Sequence, residues 1–195
     1  MTINPIRIKG NWDEGYVLDR HIIKSSIIGI DGFGNSIYDT QRTELGELIY
    51  QIKYKKKYDK IEDAMKLIAP FIKQWESIQD VQSILAVPYS QKREWQPVEE
   101  IAKRIADILP KAIFCENILL KTTNEQAKNL NLNSKNHLHG TIIQTKPAIK
   151  RHSILLVDDL YSTGTTLKEC VEVLRNDRNI DQIYVLVMTK TKEMR

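Results

Sequence analysis

Apolar side chains recur along this chain in two rhythms. In residues 61–75, Ile61, Ala64, Met65, Ile68, Ala69, Ile72 and Trp75 return at three- and four-residue steps, which lays one apolar stripe along a helix. Val98, Ile101, Ala102, Ile105, Ala106 and Leu109 repeat that spacing with Pro110 just beyond, and Leu167, Cys170, Val171 and Leu174 do so once more. Residues 43–54 read as a further helix. Pro70 lies inside the first stripe and is expected to kink or split it, because proline brings no N–H to the helix ladder. Elsewhere the apolar residues form short unbroken runs, at residues 83–87, 153–157 and 183–188, the pattern of strands buried on both faces. Between residues 16 and 30 the β-branched content is high and predicts one or two strands. Asp31-Gly32-Phe33-Gly34-Asn35, rich in residues that tolerate positive φ, then predicts a hairpin turn. Residues 112–120 hold a further strand, whereas residues 121–135 are polar and asparagine-rich and read as a mobile loop.

Strands that alternate with helices imply parallel crossover units, hence an α/β fold with an open, mainly parallel sheet and helices on both faces. The chain of 195 residues suffices for one well-buried unit. Residues 1–78 read as an N-terminal hood and residues 79–195 as the α/β core. No apolar run approaches the roughly 20 residues of a membrane-spanning helix, and the N-terminus lacks the continuous apolar stretch of a secretory signal. A cytoplasmic location is expected. Cys115 and Cys170 are too few for a disulfide framework and read as small buried hydrophobes.

The net charge of +4 invites a nucleic-acid reading, so its position matters. Lys53, Lys55, Lys56, Lys57 and Lys60, set against Asp59, account for all of it. With Tyr50, Tyr54 and Tyr58 spaced by four, this tract could follow a phosphate backbone with interleaved aromatics. The plainer reading is a helix end whose tyrosines pack inward and whose lysines are solvated.

In open α/β sheets ligands bind beyond the carboxyl ends of the strands, which directs attention to the segment after Val157. It reads Asp158-Asp159-Leu160-Tyr161-Ser162-Thr163-Gly164-Thr165-Thr166 and then enters a helix. Two carboxylates at a strand end can accept hydrogen bonds from a vicinal diol or hold water around Mg²⁺. Hydroxyl side chains and free N–H groups at a helix start suit a phosphate, which the helix dipole also favours. Gly164 lets the backbone turn tightly and approach a ligand. Diol and phosphate sites a few residues apart describe a ribose 5-phosphate. A response-regulator receiver also carries an acidic pair, but near its start, with roughly a hundred residues following. A P-loop ATPase needs a Gly-x-x-x-x-Gly-Lys-Ser/Thr segment that the chain lacks.

This string resembles the phosphoribosyl-pyrophosphate (PRPP) binding signature of the type I phosphoribosyltransferases, an acidic pair followed by a threonine- and glycine-rich phosphate loop. The likeness extends to the ComF-like, amidophosphoribosyltransferase-like branch. There Lys53-Tyr54 resembles a helix end, Val87-Pro88 with Ser90 and Arg93 a pyrophosphate-facing loop, and Gln126, Lys135-Asn136 and Gly140 a flexible-loop region. Arg93-Glu94-Trp95-Gln96-Pro97 stands where that branch has Arg-Gly-Phe-Asn-Gln, and its N-terminal cysteine knuckle is missing.

The resemblance implies the type I phosphoribosyltransferase fold and transfer of phosphoribose from PRPP to an unidentified nitrogen nucleophile, with release of pyrophosphate. It implies Asp158 and Asp159 as catalytic residues that hold the ribose hydroxyls and Mg²⁺, the metal directly or through water. Tyr161, Ser162, Thr163, Gly164, Thr165 and Thr166 would hold the 5-phosphate. Tyr89, Ser90, Lys92 and Arg93 would face the pyrophosphate, and Lys121 and Gln126 would belong to a closing lid. Two further readings stay open: a PRPP-sensing regulator without turnover, and a ComF-like nucleic-acid-associated or defence protein that uses the lysines of residues 53–60. A homodimer is compatible with each.

Overall fold

The structure, a computed structural model, describes residues 3–89, 94–122 and 141–191. Its central sheet has six strands, numbered in chain order: β1 (Ile6–Arg7), β2 (Glu14–Arg20), β5 (Ser83–Ala86), β6 (Ile113–Phe114), β9 (His152–Tyr161) and β10 (Ile180–Lys190). They lie in the order β1-β2-β10-β9-β5-β6, all parallel except β1, which runs antiparallel to β2 at the edge. Two antiparallel ribbons stand outside the sheet, β3 (Ile22–Ile30) with β4 (Ser36–Arg42) and β7 (Leu119–Lys121) with β8 (Ile142–Gln144). Four α-helices, α1 (Glu44–Lys55), α2 (Lys60–Gln74), α3 (Pro97–Ala106) and α4 (Thr165–Arg175), and a 3-10 turn at Glu76–Ile78 complete the described elements.

The apolar strand runs explain the layering. Side chains alternate across a strand, so Leu155 and Val157 of β9 face one side of the sheet and Ile154 and Leu156 the other. The first side packs against α1, α2 and α3 through Leu45, Ile49, Ile68, Ile72, Ile101 and Ile105. On the second side are Leu167, Cys170, Val171 and Leu174 of α4, together with Trp12 and the β7–β8 ribbon. The chain is therefore α/β, with a mostly parallel sheet flanked by helices. Among the described residues no helix is long and apolar enough to cross a membrane.

Several elements differ from the sequence expectation. The helix over residues 61–75 does not split: α2 runs from Lys60 to Gln74 through Pro70. Pro70 is exposed, so the carbonyl it leaves unpaired is on the wet side of the helix. Residues 112–120 contain two short strands, not one, because Asn117 between them takes the left-handed conformation with φ 57° and breaks the run. From the N-terminal segment, β2 pairs in parallel with β10 along most of its length.

Aromatic packing fixes α2 to the sheet. The ring of Tyr16 on β2 meets Phe71 at 5.2 Å and Trp75 at 5.0 Å, both edge-on, and the indole N–H of Trp75 donates to Glu14 at 3.0 Å. Glycine fixes α1. Thr43 caps the helix by accepting the Gly46 N–H at 3.0 Å, while its own hydroxyl donates to the carbonyl of Arg20 at 2.5 Å. At Gly46 a side chain would run into the backbone carbonyl oxygen of His21. Glycine to alanine ordinarily stabilises an exposed helix position by about 1 kcal/mol. Here the sign is expected to reverse, with Gly46→Ala losing about 1–3 kcal/mol to overpacking and melting roughly 3–10 °C lower. An unchanged or raised melting temperature in a thermal scan would show that α1 does not press on His21.

Candidate functional site

The chain leaves β5 toward α3 and β6 on one side, and leaves β9 toward α4 and β10 on the other. Where crossovers diverge in this way, a crevice opens beyond the strand ends. It is present as a cavity of about 220 Å³ lined by Val87, Pro88 and Tyr89 just after β5, by Asp158 and Asp159 of β9, and by Thr166 of α4. Lys53 of α1, Glu99 of α3 and Lys121 of β7 also reach it.

β9 continues four residues beyond the expected Val157 end, because β10 keeps pairing with it as far as Tyr161. The acidic pair is therefore part of the strand and not of the loop after it, and the pleat sends the two carboxylates to opposite faces. Asp159 points toward the α1 side. Its carboxylate, only 9% exposed, meets the Lys53 ammonium at 2.6 Å. Behind it Thr189 of β10, fully buried, donates its hydroxyl proton to the Asp159 carbonyl at 3.1 Å. That proton is then spent, so the contact of 3.1 Å between Thr189 Oγ1 and His21 Nδ1 requires the imidazole to donate. Burial, the largest cause, and the charge of Arg42 hold the His21 pKa below its usual value, so this ring is neutral.

Asp158 points toward the α4 side and is half-buried. Loss of water is the main cause, and the Asp159 charge the second, of a rise in its pKa from 3.8 to about 7. The Asp159 N–H, donating at 2.8 Å, and the attraction of Lys53 partly oppose that rise.

The segment after β9 is open to solvent. Ser162, Thr163 and Thr165 are exposed, while Gly164 is buried in the left-handed conformation with φ 76°. A side chain at Gly164 would meet the hydroxyl of Tyr161, whose ring fills the space beneath the turn. Gly164 is the N-cap of α4 and supplies no side-chain cap, and the first turn of α4 holds no acidic residue. Thr163 and Thr165 share a hydroxyl contact of 2.9 Å. The Thr165 N–H donates to Thr163 Oγ1 at 3.4 Å, and the helix start has exposed hydroxyls with no carboxylate of its own against them.

Of the residues singled out in the sequence, the structure brings Asp158, Asp159, Tyr89, Lys121 and Thr166 to one cavity. Tyr161, Ser162, Thr163, Gly164 and Thr165 form the adjoining turn. Ser90, Lys92, Arg93 and Gln126, with most of the expected lid over residues 121–135, are outside the described residues. Lys53 and Glu99 were missed as site residues. In the sequence Lys53 belongs to a basic tract, and the one signal for its place is the Lys53-Tyr54 helix end. The tyrosines of that tract do not all turn inward, since Tyr54 is 55% and Tyr58 41% exposed. Instead Tyr58 lies over Trp95, with ring centroids 4.1 Å apart.

No protein-family profile and no curated protein sequence matches the chain. Solved structures similar to it include a phosphoribosylpyrophosphate synthetase from Mycobacterium smegmatis, 16% identical with a TM-score of 0.41, the match covering 66% of this chain and 33% of that one. A purine phosphoribosyltransferase from Pyrococcus horikoshii Ot3 is 15% identical with a TM-score of 0.38, over 65% of this chain and 80% of that one. A UMP synthase from Leishmania donovani is 17% identical with a TM-score of 0.34, over 85% of this chain and 28% of that one. The chain thus spans about a third of the length of the synthetase.

The raised Asp158 pKa has a consequence for stability. The folded chain holds this proton to a higher pH than the unfolded chain, so stability falls as pH climbs from about 4 to about 7 and the loss is complete above that window. Asp158→Asn, which cannot ionise, is expected to melt above the parent at about pH 8 and to lose that advantage near pH 4. A melting-temperature difference that stays constant across the pH series would contradict the assignment.

Proposed function

We propose that this chain is a phosphoribosyltransferase that binds PRPP with Mg²⁺ and transfers the phosphoribosyl group to a nitrogen nucleophile, releasing pyrophosphate. The observation that carries the reading is the cavity at the divergence of β5 and β9, which Asp158, Asp159 and Thr166 at the start of α4 line together. In it Asp158 and Asp159 accept the ribose hydroxyls, and the backbone of residues 162–166 with its hydroxyls receives the 5-phosphate. The pyrophosphate extends toward Tyr89 and Lys121, with Lys92 and Arg93 assigned to the same role by resemblance.

The donor set suits a metal held mainly by its substrate. Among the described residues no group of three or more His, Cys, Asp or Glu side chains gathers to cage an ion. Mg²⁺ commonly takes one or two carboxylates plus water and substrate phosphates, and Asp158 and Asp159 offer that minimum. Bound there, the metal would neutralise charge on the departing pyrophosphate.

The rest of the chemistry belongs to the protein. Breaking the bond between the anomeric carbon and pyrophosphate leaves positive charge on the sugar, which carboxylates in a partly dry cavity stabilise. Lys53, in contact with Asp159 at 2.6 Å, holds its carboxylate in place for that role. The apolar walls from Val87 and Pro88 limit water, which would otherwise compete with the acceptor.

Millimolar PRPP with Mg²⁺ is expected to raise the melting temperature. At about 100 times the dissociation constant the stabilisation is about 2.7 kcal/mol, or roughly 5–10 °C for a chain of this size. The Asp158→Asn, Asp159→Asn double variant should fold yet show no shift. Normal PRPP binding by that variant would remove the diol role, and absence of any shift in the parent would remove the function. Pyrophosphate release in a screen of nucleobases, ammonia and nucleotides then separates transfer from sensing, since a sensor binds without releasing it.

A further inference from the structure

His21 stands at the same edge of the sheet as the acidic pair. It follows directly on β2, its backbone N–H donates at 2.8 Å to the carbonyl of Lys190 at the end of β10, and both strands run parallel to β9. Strand order fixes its side. β9 has β5 on one flank and β10, then β2, on the other. Tyr89, just after β5, lies on the first flank, whereas His21 lies on the second.

One nitrogen of the ring is engaged and the other is not. Thr189, fully buried, gives its proton to the Asp159 carbonyl at 3.1 Å, so Nδ1 donates to Thr189 Oγ1, also at 3.1 Å. In a neutral imidazole that leaves the lone pair on Nε2. Among the described residues nothing hydrogen-bonds to Nε2, and Arg42 Nε is the one buried side-chain polar atom without a partner. Nε2 is therefore open to solvent. The charges that act on the ring come from Arg42 of β4, Lys53 and Glu47 of α1 and Asp159 of β9. Arg42 is paired with Glu47 at 3.4 Å and Lys53 with Asp159 at 2.6 Å, so each carboxylate among them has its own cation and neither locks a proton onto the imidazole.

Taking the cavity as a phosphoribosyl-transfer site, we propose that His21 is its general base, with Nε2 receiving the proton of a heterocyclic N–H acceptor of the nucleobase kind. Substitution at the anomeric carbon brings the nucleophile in from the side opposite the leaving group. With pyrophosphate toward Tyr89, that side is the flank of β10 and β2, where His21 stands. As the acceptor nitrogen bonds to the anomeric carbon, the bond from that carbon to pyrophosphate breaks, and its electron pair leaves on the pyrophosphate oxygen. The N–H proton passes to Nε2, and the imidazolium then returns it to water. The bond from Nδ1–H to Thr189 holds the ring in one tautomer and orientation, as a third group does for other catalytic bases.

The test separates the lone pair from the hydrogen bond behind it. His21→Asn can place a side-chain N–H where Nδ1–H stood and so keep the Thr189 contact, but it has no acceptor at the position of Nε2. The melting shift given by PRPP with Mg²⁺ is expected to match the parent's, whereas pyrophosphate release with adenine, guanine or uracil should fall about 100-fold or more. Imidazole added to the buffer should restore part of that release, which it could not do for a histidine that only supports the fold. Ammonia attacks through a lone pair it already has, and the loss with it should be much smaller. His152→Asn, at the opposite end of β9, should change nothing. The tautomer is read in the parent itself, where NMR of the ring nitrogens should show Nδ1 protonated and Nε2 bare near neutral pH. The proposal is overturned by undiminished release from His21→Asn, by an equal loss with ammonia, by failure of imidazole to rescue, by a ring protonated on Nε2, or by a parent that binds PRPP yet releases no pyrophosphate with any nucleobase. A parent without a PRPP melting shift removes the transfer reading itself, and the base with it.

Discussion

The cavity depends on placing two carboxylates side by side at the end of a buried strand, where water is scarce and like charges repel. Two devices make this tolerable. The pleat turns the carboxylates of Asp158 and Asp159 to opposite faces of the sheet, so they do not share one direction. Lys53 then meets Asp159 at 2.6 Å, while loss of water raises the pKa of Asp158. Strained electrostatics of this kind is a destabilising arrangement that a fold retains where it is used.

Lys53 belongs to a helix far away in sequence, so its position depends on how α1 is seated. That seating is steric as well as apolar. The Thr43 cap binds the chain ahead of the ribbon, Gly46 permits contact with the His21 carbonyl, and Ile49 and Ile52 are buried below. The same stretch carries the neutral His21 that donates to Thr189, which in turn donates to the Asp159 backbone. The N-terminal segment thus both joins the sheet through β2 and supplies the counter-charge of the site.

The β3–β4 ribbon lies between those two contributions, joining β2 to α1. The core surrounding the cavity is closed without the ribbon, since α2, α3 and α4 pack on the sheet by their own apolar stripes.

Period alone determined a good part of this protein. The helical stripes at residues 61–75, 98–109 and 167–174 and the unbroken runs at 83–87, 153–157 and 183–188 all became elements near those bounds, because each buries one face or both and burial demands a fixed spacing. The acids, the glycine and the threonines after Val157 were legible as a group because their neighbours in sequence are also their neighbours in space. Tertiary structure decided the rest. Where β9 ends depended on its pairing with β10, which no local pattern records. Whether Lys53 is solvated or paired depended on the packing of α1 against the sheet, and Glu99 and Lys121 reach the cavity from elements that the chain visits at different times. A charge shows its type in the sequence, but its partner and its dielectric are properties of the folded surroundings.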